Sequence, residues 1–218
     1  MNVRAEHDHE PEQADEPAAY WDGRYSASER MWSGDPNGIL VREAAGLAPG
    51  TALDLGCGEG ADAVWLAARG WRVTAVDVSQ VALDRAARHA AEAGVAERVE
   101  WRRHDLADDF PGGRFDLVSA QYLHSPIEMP REELLRRAAA AVAPGGLLVV
   151  GSHGGFPPWE ENPHPEMEFS TPAEIVADLG LDDAEWDVLR AEDVERHQAG
   201  PDGEPHTRTD NVVAARRR

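Results

Sequence analysis

Three glycines and a carboxylate are the residues whose spacing most clearly suggests chemistry. Gly56, Gly58 and Gly60 follow a short apolar run, and Asp77 ends the next apolar run, which spans residues 72–76. Glycine lets the backbone approach a ligand closely and adopt positive φ without a Cβ clash. An acid about 20 residues after such a turn lies where a ribose presents its hydroxyl groups. The pattern therefore predicts a binding site for a ligand that contains a nucleoside.

A second carboxylate, Asp54, separates two classes of cofactor. The spacing Gly56-x-Gly58-x-x-Ala61 also satisfies the fingerprint of dinucleotide-binding sites. An acid two residues before the first glycine would repel a pyrophosphate, whereas it would attract an ammonium group. S-adenosylmethionine (SAM) has an adenosine at one end and an amino-acid group at the other. The two acids together therefore favour SAM.

The stretch from Asp54 to Gly60, together with Asp77, resembles the cofactor-binding signature of class I SAM-dependent methyltransferases. The segment WDGRYSASERMWSGDPN, residues 21–37, resembles the N-terminal stretch of a bacterial group related to the tellurite-resistance and thiopurine methyltransferases, in which it folds over the cofactor. Asp105 and Leu106 resemble the adenine-binding pair, although a turn is the alternative role for Asp105. The resemblance implies this cofactor-binding set: Trp32, Asp54, Gly56, Cys57, Gly58, Gly60, Asp77, Val78, Asp105, Leu106 and Gln121.

Two histidines are the weak candidates for catalysis. Methyl transfer from a sulfonium mainly requires a well-positioned nucleophile, and a general base is needed only when the acceptor arrives protonated. His124 and His153 follow the fourth and fifth predicted strands. Either could take a proton near neutral pH, and a structural role stays open for both. The acids and His164 within residues 160–166 match no metal-binding motif, so no metal site is expected.

These residues need a sheet whose strands end at one edge, and the sequence predicts such a sheet. Apolar runs predict strands at residues 51–55, 72–76, 99–104, 115–121, 147–152, 186–189 and 211–216. Helices are predicted over 37–47, 61–69, 79–93, 131–143 and 171–179, with helices between the first five strands and a terminal hairpin. We expect a Rossmann-like α/β fold, with helices on both faces of a mostly parallel sheet. The resemblance implies that the last strand is antiparallel.

Length and charge limit the domain organisation and the partners. The 218 residues suit one domain, 17–218, with an N-terminal lid segment at 17–48 after a disordered acidic tail at 1–16. The formal charge is 21 − 41 = −20, which disfavours nucleic acids and anionic membranes as partners. No apolar run is long enough to cross a membrane, and no signal peptide precedes the domain, so a cytoplasmic location is expected. The oligomeric state stays open.

Three functions remain to be weighed. The leading hypothesis is SAM-dependent transfer of a methyl group to a small-molecule acceptor, with the accepting atom undetermined. The first alternative is an NAD(P)-dependent oxidoreductase, but the chain contains no lysine, which excludes a Tyr-Lys dehydrogenase site. The second alternative is a SAM-binding module without catalysis. An open acceptor cavity would argue against that module.

Overall fold

A single seven-stranded sheet forms the centre of the computed structural model, which describes residues 17–127, 129–159, 169–200 and 203–218. The strand order is β3-β2-β1-β4-β5-β7-β6. The strands are β1 (Thr51–Leu55), β2 (Arg72–Asp77), β3 (Val99–Arg103), β4 (Phe115–Gln121), β5 (Val142–His153), β6 (Trp186–Ala199) and β7 (Pro205–Arg217). Strands β1 to β5 pair in parallel, and β7 is antiparallel to both of its neighbours. The predicted Rossmann-like sheet is confirmed.

Six α-helices and one short 3₁₀ helix (Ala96–Arg98) surround the sheet in the described ranges. The α-helices are α1 (Pro17–Ser26), α2 (Gly38–Ala44), α3 (Ala61–Ala68), α4 (Gln80–Glu92), α5 (Arg131–Ala140) and α6 (Pro172–Leu179). Residues 104–114, between β3 and β4, contain no helix. The general expectation of helices between the first five strands does not hold at this connection. No individual helix was predicted there, and Pro111, Gly112 and Gly113 interrupt any helical run.

Capping residues set the helix boundaries near the site and under the sheet. The Ser79 hydroxyl accepts a hydrogen bond from the Ala82 amide, so α4 begins directly after β2. Thr171 and Glu174 form a capping box at the start of α6, and Gly180 ends that helix in the left-handed conformation. These three boundaries agree with the sequence predictions.

The core has two apolar layers, one on each face of the sheet. Leu134 and Leu135 of α5 and Ile175 of α6 pack on one face, while Leu40 of α2 and Leu66 of α3 pack on the other. This arrangement confirms that helices cover both faces. In the described ranges, no helix has the length and apolar character needed to cross a bilayer. The predicted tail at 1–16 and the residues 160–168 lie outside the described residues.

Candidate active site

One cavity of about 1230 Å³ opens at the carboxyl ends of the central strands. Its wall contains every residue predicted to bind the cofactor, together with both candidate histidines, His124 and His153. The parallel strands β1, β2, β4 and β5 bring these positions together, because their carboxyl ends meet at one edge of the sheet. The cavity has a cofactor end, at the glycine turn, and an acceptor end, beyond β4 and β5.

The glycine turn after β1 is shaped so that side chains would not fit. Gly56, Gly58 and Gly60 have φ values of 69°, 52° and 84°, in the left-handed region that favours glycine. A Cβ on Gly58 would lie 2.9 Å from the hydroxyl of Tyr25, and one on Gly60 would lie 2.7 Å from the Trp101 ring. The turn therefore combines a close approach to a ligand with close packing beneath it.

Buried carboxylates surround this turn. Asp54 is 2% exposed, and its Oδ2 has no hydrogen-bond partner among the described residues. Burial raises the pKa of Asp54 well above its ordinary value, and the neighbouring Asp62 and Asp77 raise it further. An unpartnered buried carboxylate oxygen fits a ligand group that donates hydrogen bonds and carries positive charge. The ammonium group of SAM meets both requirements.

Asp77 has a structural role in addition to the predicted role at the ribose. Its Oδ2 accepts a hydrogen bond from the Gly58 amide at 2.8 Å, and its Oδ1 accepts one from the Ser79 amide at 2.9 Å. Burial raises the pKa of Asp77, and these two hydrogen bonds oppose that rise. The carboxylate thus fixes the glycine turn against the start of α4, with lone pairs left for ligand hydroxyl groups.

Other predicted cofactor residues lie in less direct arrangements. The Oδ1 atom of Asp105 accepts a hydrogen bond from the Ala107 amide at 3.0 Å, so the turn role is present, and the adenine role of Asp105 and the buried Leu106 stays a prediction. The Gln121 amide donates to Ser119 Oγ at 3.1 Å, while its Oε1 has no partner among the described residues. Burial raises the pKa of the Cys57 thiol, which therefore stays protonated.

The N-terminal segment, residues 17–37, lies over the glycine turn and is held there by Glu59. The Glu59 carboxylate accepts hydrogen bonds from the amides of Met31 and Trp32 and from the Arg85 guanidinium, which lies at 2.9 Å. The indole of Trp32 donates to the hydroxyl of Tyr25 at 3.1 Å. Tyr25 and Trp32, which lie in the predicted lid segment, are thus part of the cavity wall.

A cluster centred on a buried carboxylate lies at the acceptor end. Asp210 is 1% exposed and accepts hydrogen bonds from the Tyr122 hydroxyl at 2.7 Å and from Arg196 Nε at 2.6 Å, and it is bonded to His153 Nδ1 at 3.1 Å. Burial alone would raise the pKa of Asp210, but these three partners outweigh it and hold that pKa well below its ordinary range. Asp210 is therefore a carboxylate at neutral pH.

The second candidate histidine stacks on the first. The rings of His124 and His153 are nearly parallel, at 9°, with centroids 5.7 Å apart. Desolvation, the charge of Arg131 and the neighbouring His153 together lower the pKa of His124 to about 4. His124 is therefore neutral near pH 7.

Sequence reasoning missed Asp210 and Arg196. Both lie in parts of the terminal hairpin that the apolar pattern did not assign to strands, since the prediction for β7 began at residue 211 and that for β6 ended at residue 189. The available signal was Asp210 itself, an acid two positions before the apolar run 212–215. An acid adjoining a buried strand requires donors, and here they come from His153 and Tyr122.

The sequence comparison agrees with this geometry. Residues 52–146 match the family described as methyltransferase domain. This match covers less than half of the chain. A curated relative, the 2-heptyl-1-hydroxyquinolin-4(1H)-one methyltransferase of Mycobacteroides abscessus, is 36% identical over 152 residues, covering 65% of each chain. The chain spans 36% and 48% of the length of two further curated relatives, so the matches are to parts of those proteins.

Solved structures share the fold. A protein from a study of the conversion of a disulfide bond into a thioacetal group during echinomycin biosynthesis has a TM-score of 0.71 at 24% identity, covering 93% of this chain and 92% of its own. The N-methyltransferase NodS from Bradyrhizobium japonicum, in complex with S-adenosyl-L-homocysteine (SAH), has a TM-score of 0.65 at 18% identity, with 93% and 99% covered. The narrower resemblance to the tellurite-resistance and thiopurine group stays a prediction.

Proposed function

We propose that this protein is a SAM-dependent methyltransferase whose small-molecule acceptor carries a protonated nucleophile, with His153 as the general base. The observation that carries the proposal is the contact between His153, which lines the cavity, and the buried Asp210. The glycine turn lies at the other end of the same cavity. A base is useful only where the accepting atom must lose a proton.

The cofactor end has a group for each part of SAM. The Asp77 carboxylate would accept hydrogen bonds from the ribose hydroxyls, and the unpartnered oxygen of Asp54 would bind the ammonium group. Leu106 and Asp105 would hold the adenine, and Trp32 would cover the bound molecule. When bound there, SAM supplies an electrophilic methyl group attached to a positively charged sulfur.

His153 has the partner that a general base needs. With its Nδ1–H donated to Asp210, its Nε2 carries a lone pair that can accept the acceptor's proton. The positive charge that then develops on the ring lies next to the Asp210 carboxylate, which stabilises it. Because Arg196 and Tyr122 also bind that carboxylate, the main effect of Asp210 on His153 is to fix the tautomer and orientation of the imidazole ring.

The comparisons support this class of reaction without fixing the acceptor. The Mycobacteroides relative is named for a hydroxyquinolinone, and another curated relative, from Pseudomonas paraeruginosa, is named a ubiquinone biosynthesis O-methyltransferase. The first name gives a small acceptor and the second gives transfer to oxygen, and a hydroxyl acceptor fits a histidine base. A solved [4+2]-cyclase with a TM-score of 0.59 shares the fold, so the proposal depends on the site residues.

Calorimetry tests the cofactor first. SAH should bind with micromolar affinity or better, about −8 kcal/mol, while NAD should not bind measurably. Binding of NAD without any response to SAH would leave an oxidoreductase as the better description. An acceptor screen with methyl-labelled SAM over phenols, N-hydroxy compounds, amines and thiols then tests for catalysis. No labelled product from any class, despite SAH binding, would favour a non-catalytic module.

The histidine assignment has its own test in the acceptor found by that screen. His153→Gln should lower kcat by about a hundredfold or more, while SAH affinity changes less than twofold. His197→Gln is the matched control, because His197 is exposed on β6, bonds to Thr207 and does not line the cavity. The base assignment is wrong if both variants keep wild-type kcat across pH 6–9.

A further inference from the structure

The charges on the cavity wall are separated between its two ends. The acidic residues among the described lining all lie at the cofactor end and entrance; they are Asp35, Asp54, Glu59, Asp62, Asp77 and Asp105. The described lining of the acceptor end contains three arginines, Arg131, Arg196 and Arg208, and no aspartate or glutamate. Behind this lining, the Asp210 carboxylate pairs with Arg196, so an anion site at this end depends on Arg131.

Arg131 stands out among these arginines. It is half-buried at the first position of α5. Its side chain makes no hydrogen bond or ion pair with the described part of the chain, and its Nε is buried without a partner there. Burial lowers its pKa, and the more distant charge of Asp178 opposes that effect only in part. Arg196, by contrast, is already bonded to Asp210.

The other two arginines of α5, in contrast, have ion-pair partners. Arg136 and Arg137 lie outside the cavity and form ion pairs with Glu132 and Glu133, one helical turn away. A partly buried guanidinium without an anion is costly, because its hydration is reduced and no protein acceptor replaces the lost water. The arrangement is explained if the missing anion comes from a ligand.

The nearby wall indicates the body of that ligand. Phe156 and Phe169 line the acceptor end and contact each other edge to face, with ring centroids 4.8 Å apart. Tyr122 adds a third ring on the side of β4. Flat apolar rings of this kind favour an aromatic or similarly planar molecule.

We propose that the methyl acceptor is an aromatic carboxylic acid whose carboxylate is bound by Arg131. The inference that this acid is the methyl acceptor rests on the proposed function, whereas the carboxylate-binding site is argued only from residues of this chain. A guanidinium and a carboxylate form charge-assisted, frequently bidentate hydrogen bonds, so the acid should bind in clear preference to a neutral molecule of the same shape.

Paired acids and amides test the preference directly. Benzoate, 4-hydroxybenzoate and 3-phenylpropanoate, with their primary amides, are titrated into the protein by calorimetry at pH 7.5, with and without saturating SAH. For at least one pair, the acid should bind about tenfold or more tightly than its amide. Arg131→Gln should remove that preference while leaving SAH affinity unchanged, and Arg136→Gln should keep it.

Each result bears on one proposal. Equal binding of acid and amide in all three pairs, absence of binding by every acid, or a preference that persists in Arg131→Gln overturns the carboxylate site. The proposed function is judged separately by SAH binding and labelled methyl transfer in the wild-type protein. Transfer to neutral acceptors alone, with no acid preference, would keep the methyltransferase and refute Arg131 as the acceptor's anchor. An acid preference without SAH binding would keep the anion site and refute the cofactor.

Discussion

Replacing Asp210 by asparagine tests whether the acceptor end is held together by one buried charge. The substitution keeps the size of the side chain but removes its charge. It also replaces one carboxylate oxygen by an NH₂ group, whereas both oxygens accept hydrogen bonds in the native protein. The Tyr122 hydroxyl can rotate and accept a hydrogen bond from that group. Arg196 and His153, which donate to Asp210, cannot both be satisfied by the one remaining oxygen.

The size of the effect follows from these contacts. A hydrogen bond to a charged group contributes about 1.5–3 kcal/mol, and removing one partner of a buried ion pair costs about 3–5 kcal/mol. The Arg196 side chain is 37% exposed, so water replaces part of what it loses. We therefore expect Asp210→Asn to lower the free energy of unfolding at pH 7 by about 2–4 kcal/mol.

The pH dependence provides a second signature. The folded-state pKa of Asp210 lies below its value of 3.8 in the unfolded chain, so the carboxylate contributes its full stability above that value and loses it as the pH falls through the folded-state pKa. The stability difference between the wild-type protein and Asp210→Asn should shrink below about pH 4.

Urea unfolding at several pH values measures both signatures. Tyr122→Phe removes one donor without removing the charge, so it should cost about 1 kcal/mol. Asp193→Asn, an exposed acid on β6 opposite Asn211, is the control and should stay within about 0.5 kcal/mol of the wild type. The reasoning is refuted if Asp210→Asn is as stable as the control or loses less than Tyr122→Phe.

Three further predictions concern the cofactor end. Asp54→Asn should raise the free energy of unfolding of the ligand-free protein at pH 8, by about 1.4 kcal/mol for each unit by which the folded state raises the pKa of Asp54. The substitution should have no effect near pH 4. Urea unfolding that shows a loss of stability at pH 8 would contradict this reasoning. Glu59→Ala should speed hydrogen exchange in the N-terminal segment but not in the core strands, and unchanged exchange would mean that other contacts hold the segment. Gly60→Ala should lower the thermal midpoint more than Gly94→Ala, because both glycines have positive φ but only a Cβ at Gly60 meets other atoms.

The cofactor end was predictable because its signals are local in sequence. Gly56, Gly58, Gly60 and both acids fall within about one βαβ unit, where each strand ends directly before the residue that it positions. The same holds for His124, three residues after β4, and for His153, the last residue of β5, because both follow a continuous apolar run. Parallel strands buried on both faces give a clear pattern, and their carboxyl ends necessarily converge.

The acceptor end was not predictable because its contacts are long-range and its strands are exposed. Tyr122 and Asp210 are bonded although they lie 88 positions apart. Strand β6 lies at the edge of the sheet, and most of its residues are exposed and polar, so only its opening at Trp186 shows an apolar signal. The register of the hairpin, which aligns Arg196 with Arg208, comes from pairing with β7 and not from any local pattern.

The overall charge of the chain and the charge of its cavity lead to different conclusions about ligands. A net charge of −20 argues against large anionic partners, which experience the whole surface at once. A small acceptor inside the cavity interacts mainly with the groups that line it, because charges more than about 10 Å away across water are largely screened at 0.1 M salt. The buried acids at one end suit a cationic cofactor, and the arginines at the other suit an anion.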